Sequence, residues 1–225
     1  MAPIFAEFCG VSPRARAGLP AAALQTILFT DVEGSTALTD RLGDAAAREV
    51  MREHERITRE ALKAHGGSEV KTMGDGFMAS FGSATKALEC AVAIQKAFAD
   101  PNRGVGVEQL PNDVSNSDEG VAVAQPLRAP ASSKPSAEDA IRVRIGLNAG
   151  EPIAEDDPDG RGDLFGTAVI VAARIAAQAH GGEILVSDVV RQLVAGKGFL
   201  FNDRGEQALK GFEDPVRVWE VQWSE

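Results

Sequence analysis

Phe29-Thr30-Asp31-Val32-Glu33-Gly34-Ser35-Thr36, with its echo Lys71-Thr72-Met73-Gly74-Asp75-Gly76-Phe77, decides how this chain is read. In each stretch an aspartate stands beside glycine at the end of an apolar run. Gln25 to Val32 is β-branched and aromatic in its middle, Ile27-Leu28-Phe29, the pattern of a short buried strand that delivers Asp31 at its carboxyl end. Gly34-Ser35-Thr36 then opens a helical segment, whose first N–H groups lack helical partners and can receive phosphate oxygens. Ser68 to Met73 and Phe77 to Phe81 read as strands around Gly74-Asp75-Gly76, where glycine permits the positive φ of a tight turn.

Two carboxylates held at strand ends, with no histidine beside them, suit hard, oxygen-seeking Mg²⁺ or Mn²⁺ far better than zinc. Two such ions, about 3.5 to 4 Å apart, can clamp the attacking and leaving oxygens of an in-line phosphoryl displacement. An isolated Asp-Gly is more often a turn aspartate that accepts backbone N–H bonds. The joint context of Asp31 and Asp75 is what favours metal.

Working outward, Asp44 is a plausible N-cap for a long amphipathic helix in which Val50, Met51, His54, Ile57, Ala61 and Leu62 recur at helical spacing until His65-Gly66-Gly67. Ser83 caps a second helix with the stripe Ala87, Cys90, Ala91, Ile94 and Phe98. Residues 101 to 139 lose all periodicity and carry five prolines among Asn, Ser and acidic residues, so they read as a long exposed insertion without order. Ile141 to Leu147 resumes alternation, with Val143, Ile145 and Leu147 facing one way, and Ala149 to Ile153 is expected to turn into a hairpin partner. Thr167 to Ala179 is nearly all Ala, Val and Ile apart from Arg174 and Gln178, which predicts a helix buried on most sides. A strand from Gly182 to Val186, a short helix capped by Ser187-Asp188, and strands at Phe199 to Asn202 and Val216 to Gln222 complete the chain. The order predicts an α+β fold, a ferredoxin-like βαββαβ sheet with helices packed on one face plus a C-terminal α/β extension.

The 225 residues are enough for one domain, expected at 24–225, behind a flexible tail at 1–23. A net charge of −10 argues against a nucleic-acid binder and against docking on anionic lipid. No apolar run spans a bilayer and the N-terminus lacks the layout of a signal peptide, so a cytoplasmic location is expected. Cys9 and Cys90 read as free thiols, and His54, His65 and His180 lack metal-ligand spacing.

Phe29 to Thr36, Lys71 to Phe77, Asp163 through Arg174, and Leu209-Lys210-Gly211 resemble, in order, the motifs of the class III adenylate and guanylate cyclase catalytic domain. The resemblance implies that Asp31 and Asp75 bind two Mg²⁺ or Mn²⁺ ions, with the carbonyl of Val32 as a further ligand, and that a nucleoside triphosphate is cyclised to a 3′,5′-cyclic nucleotide with release of pyrophosphate. It also implies a homodimer whose active sites are shared, metal ligands from one subunit and base-reading residues from the other. Lys71 and Asp163 fall where the family selects the base, and this pair resembles adenylate cyclases. The bland alternatives are a solvated strand lysine and an acid at a helix N-terminus. Arg174 falls on the transition-state arginine and Lys210 on the lysine of the terminal phosphates, against a structural salt bridge and a solvated loop lysine. The departure is Ile170, one helical turn before Arg174, where the family usually carries an asparagine. Losing one such donor typically costs about 10²- to 10³-fold in rate. The leading reading is therefore a slow adenylate cyclase. The alternatives are a cyclase for GTP, CTP or UTP, and a degenerate domain that binds nucleotide or only dimerises as a regulatory module. The Gly-Gly-Asp/Glu-Glu-Phe hairpin of a diguanylate cyclase is absent.

Overall fold

A computed structural model describes residues 23–100, 141–156 and 162–224. The expected tail and the expected insertion, as far as residue 140, lie outside the described residues. Strand β1 (Gln25–Val32) opens the described fold and is buried along most of its length. Helices α1 (Ser35–Leu42) and α2 (Asp44–Ala64) follow, then β2 (Ser68–Met73), β3 (Gly76–Phe81) and α3 (Ala84–Ala99). The second part holds β4 (Val143–Gly150), β5 (Ile153–Asp156), β6 (Gly162–Phe165), α4 (Thr167–Ala176), β7 (Ile184–Ser187), α5 (Asp188–Leu193), β8 (Leu200–Gln207) and β9 (Val216–Gln222).

Seven strands form one sheet in the order β2-β3-β1-β4-β7-β9-β8. Its first four strands are mutually antiparallel and have the ferredoxin-like order, while β7 joins β4 in parallel. The expected fold class therefore stands. Strand alternation splits β1 between two cores. Leu28 and Val32 pack with α2, α3 and α5 through Val50, Leu88, Ile94 and Val190. Ile27 and Phe29 meet α4 through Ala172 and Ala176 on the opposite face. The core helices α2 and α3 thus share one face as expected, and α4, part of the C-terminal extension, covers the other.

Gly146 of β4 explains how closely α4 sits. A Cβ there would lie 2.2 Å from the backbone nitrogen of Ala176, so only glycine admits the helix at this depth.

Three local expectations are corrected. Ile153 does not begin a hairpin partner of β4; β5 pairs with β6 in a separate ribbon, because β4 already has β1 and β7 as neighbours. The helix at Thr167 ends at Ala176 and is not buried on most sides: Thr167, Ile170, Arg174 and Ala177 form an exposed line, with Ile170 47% exposed. Asp163 lies within β6, opposite Glu155 and four residues before α4, which sets aside its alternative reading as an acid at a helix N-terminus. The capping calculus also shifts slightly at α2, where Gly43 takes the cap position and Asp44 is the first helical residue.

Candidate functional site

The site begins with register. Asp31 lies opposite Arg144 on the antiparallel β1–β4 ladder, and Thr30 lies opposite Phe77 of β3. Gly74 takes a left-handed φ of 63° in the β2–β3 turn, as expected of a tight hairpin. Gly76 is required for a different reason. A Cβ at Gly76 would come within 2.3 Å of the Thr30 carbonyl oxygen, so glycine lets the hairpin lie against β1 beside Asp31. The buried Thr30 hydroxyl accepts from the Phe77 N–H at 3.1 Å and pins the same junction.

Asp31 and Asp75 consequently act on one another. Burial raises the Asp31 carboxyl above its ordinary pKa, a hydrogen bond from Arg144 opposes the rise, and the charge of Asp75 adds to it. Arg144 Nε donates to Asp31 Oδ2 at 2.7 Å, and a second guanidinium nitrogen donates to the same oxygen. Two neighbouring carboxylates, without histidine or thiolate, form a donor set that fits Mg²⁺ or Mn²⁺. Among the described residues no group of three or more His, Cys, Asp or Glu side chains could hold a metal, so any ion here depends on these two plus backbone or ligand oxygens.

Lys71 reaches this face through an irregularity. The β2–β3 register shifts between Glu69 and Lys71, leaving Val70 without a partner and placing Lys71 opposite Met78. Without the extra residue Lys71 would turn to the other face, because side chains alternate along a strand. Lys71 Nζ then donates to Asp163 Oδ2 at 2.6 Å, and it lies 5.6 Å from the centroid of the Phe165 ring. The Lys71 hydrogen bond holds the Asp163 carboxyl below its ordinary pKa.

An open cavity of about 430 Å³ is lined by Phe29, Asp31, Lys71, Arg144, Ile170 and Arg174 among others, while Asp75 and Asp163 stand beside these residues and are not part of its lining. Arg174 makes no ion pair among the described residues. Gly34 caps α1 with φ 72° and no side-chain cap, so the first-turn N–H groups at Ser35 and Thr36 are open, but none of these three residues lines the cavity. Val32 follows Asp31 directly on β1. Lys210 is exposed in the connection between β8 and β9 and is not brought to the cavity of its own chain.

Sequence reasoning missed Arg144, Thr30 and Phe165. Alternation already put Arg144 on the face away from Val143 and Ile145, but only the β1–β4 register reveals Asp31 as its neighbour. The thiol of Cys90 plays no part here. It is buried in the α3 stripe, and burial pushes its pKa up to about 12.

Residues 22–222 match the family described as the adenylate and guanylate cyclase catalytic domain. The chain is 32% identical over 231 residues to an adenylate cyclase of Neurospora crassa, a match that covers 87% of this chain and 9% of that protein. The chain therefore spans only a small part of this relative. An adenylate/guanylate cyclase/hydrolase from Silicibacter pomeroyi superposes with a TM-score of 0.62 at 32% identity, covering 88% of this chain and 95% of that one. An adenylate cyclase of Trypanosoma brucei, solved in its monomeric state, gives a TM-score of 0.70 at 23% identity over 92% and 93% of the two chains, a likeness of fold.

Proposed function

This chain belongs to the adenylate and guanylate cyclase catalytic-domain family, and from that membership we propose that it converts ATP to 3′,5′-cyclic AMP and pyrophosphate at a site completed by a second copy of itself. The observation that carries the reading is the junction of β1 with the β2–β3 hairpin, where Asp31 and Asp75 act on one another and Asp31 lines a cavity with Lys71 and Arg174.

Asp31, Asp75 and the Val32 carbonyl would hold two Mg²⁺ or Mn²⁺ ions, which supply activation of the ribose 3′-hydroxyl and neutralisation of the triphosphate. Lys71 and Asp163 read the base. Their mutual bond is exchanged for contacts with adenine, the carboxylate accepting from the amino group and the ammonium donating to a ring nitrogen. Arg174, on the exposed line of α4, supplies a cation to the partner's site, where negative charge grows on the phosphate oxygens. The open N–H groups at Gly34-Ser35-Thr36 receive phosphate oxygens at the start of α1. Lys210, distant from its own cavity lining, serves the terminal phosphates of the partner's site. The exposed line of α4 and the exposed side chains of Met73 and Phe165 make the surface on which a homodimer forms. No helix among the described residues is long and apolar enough to cross a membrane, and a cytoplasmic site of action, where ATP is available, goes with this reading.

Ile170 favours a second reading, a regulatory module that binds nucleotide without turnover, because an apolar side chain on the cavity wall offers no donor. Mass spectrometry of products from ATP, GTP, CTP and UTP with Mn²⁺ separates these. Cyclic AMP is expected as the main product, and Asp31→Ala or Asp75→Ala should lower the rate by about 10³-fold or more. Full activity in both variants would remove the two-metal assignment. A different cyclic nucleotide would change the substrate, and nucleotide binding without any product would establish the module.

A further inference from the structure

The carboxylate assigned to a divalent ion is already occupied by a side chain of the same protein. Arg144 gives Asp31 two N–H bonds on one oxygen. The pairing is set by the backbone, since the two residues are directly opposed in the β1–β4 register. Both are about two-thirds buried, at 33% and 31% side-chain exposure. Asp75 makes no ion pair among the described residues.

We propose that Arg144 is a resident counter-cation of the metal site, holding Asp31 in place of a divalent ion, so that metal enters only as the guanidinium swings away. The proposal rests on the assignment of Asp31 to metal. A guanidinium does not lose its proton in a protein, so Asp31 is released only by side-chain movement. Charge-assisted bonds of this kind are stronger than neutral ones and are weakly screened when half-buried. Divalent metal must displace them, and the free protein therefore binds metal more weakly than its two carboxylates alone would.

The arrangement also predicts the state of the site without Arg144. Asp31 and Asp75 would face each other as uncompensated like charges, which destabilises the β1–hairpin junction until a cation replaces the guanidinium.

Mn²⁺ binding to nucleotide-free protein tests this, measured by calorimetry and by the paramagnetic resonance signal of free Mn²⁺. Arg144→Met should bind Mn²⁺ roughly tenfold more tightly than the parent protein, the effect of losing a competitor of about 1.4 kcal/mol. Its melting temperature should be lower without Mn²⁺ and rise further on adding it than the parent's does. Arg144→Lys keeps the charge but not the paired N–H geometry, and should fall between the two; it also serves if the methionine variant does not fold. Asp31→Asn should abolish the gain in the Arg144→Met background. Equal or weaker Mn²⁺ binding by the Arg144 variants, with Asp31→Asn still weakening it, overturns the counter-cation and leaves the metal site standing. Mn²⁺ binding indifferent to Asp31→Asn in both backgrounds overturns the metal assignment, and the counter-cation with it.

Discussion

The two ends of the cavity are built on opposite principles. At the carboxylate end, Asp31 stands on β1, Asp75 on a hairpin pressed against it, and Arg144 completes the pairing from β4. Every group there is half-buried and fixed by backbone register. At the cation end, Ile170 and Arg174 lie on the exposed line of α4, and Lys210 stands in a loop away from its own cavity. Buried charge needs a partner within the chain, because desolvation without pairing costs several kcal/mol, whereas an exposed cation can wait for one. The contrast teaches that one half of the chemistry is finished when the chain folds and the other half is left to a ligand or a second copy.

Ile170→Asn strikes at the unfinished end and carries the largest gain expected of any change there. The position is on the cavity wall and exposed within its own chain, so the change should alter the stability of the folded subunit by less than about 0.5 kcal/mol. Restoring a hydrogen-bond donor there should raise kcat by about 10²-fold with little change in KM. Steady-state kinetics with ATP and Mn²⁺ checks it. An unchanged kcat would mean that the cation end does not use this position at all.

The finished end has its own weak point. His54 of α2 is 1% exposed, its ring 5.7 Å from that of Phe77 and 5.4 Å from that of Phe98. Neither its Nε2 nor the Thr58 hydroxyl one turn later has a hydrogen-bond partner among the described residues. Burial lowers the pKa of His54 from 6.5 to about 4. Between those values the unfolded chain binds a proton that the folded chain refuses. The stability linked to His54 is therefore complete above pH 6.5 and is lost as pH falls toward 4. From pH 7 to pH 5 the loss should be about 2 kcal/mol. Urea unfolding at the two pH values measures it, and His54→Leu should lose about that much less over the same interval. The carboxyl groups of Glu55, Glu69 and Asp163 are held below their ordinary values and that of Asp31 is raised, so the difference between the parent and His54→Leu isolates the histidine. Equal pH dependence in both proteins would show that His54 is not a liability beneath Phe77.

The same division governs what could be read from the sequence. β1, α2, the β2–β3 hairpin and α3 were legible because their periodicity is local and their caps and glycines punctuate it. Asp31 and Asp75 came with them, and Lys71 and Asp163, named together from the sequence, meet in a hydrogen bond. Arg144 was not legible, since its partnership with Asp31 exists only through the register of strands far apart in the chain. The bulge that aims Lys71 at the cavity carries no proline or glycine signal, and Val70 looks like any strand valine. The exposed line of α4 was hidden because Ile170 and Ala177 are apolar or small, so an outward face reads like an inward one. Nor could the loop from Ala149 to Ile153 disclose that β4 already had both neighbours.

The smallest effect expected is also the most direct attempt to break the contrast. If the two ends belong to one chain, a protein lacking Asp31 and a protein lacking Arg174 can never repair one another. If a site takes its carboxylates from one copy and its arginine from the other, a mixed dimer of Asp31→Ala with Arg174→Ala gathers both lesions into one site and leaves the second intact. Random exchange of equal amounts makes about half of the dimers mixed, and each mixed dimer has one of two sites whole, so mixing two inactive proteins should restore roughly a quarter of the parent activity. Recovery should appear with subunit exchange and be absent when either protein is assayed alone at the same total concentration. Dilution below the dimer dissociation constant should abolish it, because the cation end then loses the carboxylates it serves. No recovery from a mixture that forms mixed dimers, shown by tagged copies in native mass spectrometry, would place both ends of the reaction within a single chain.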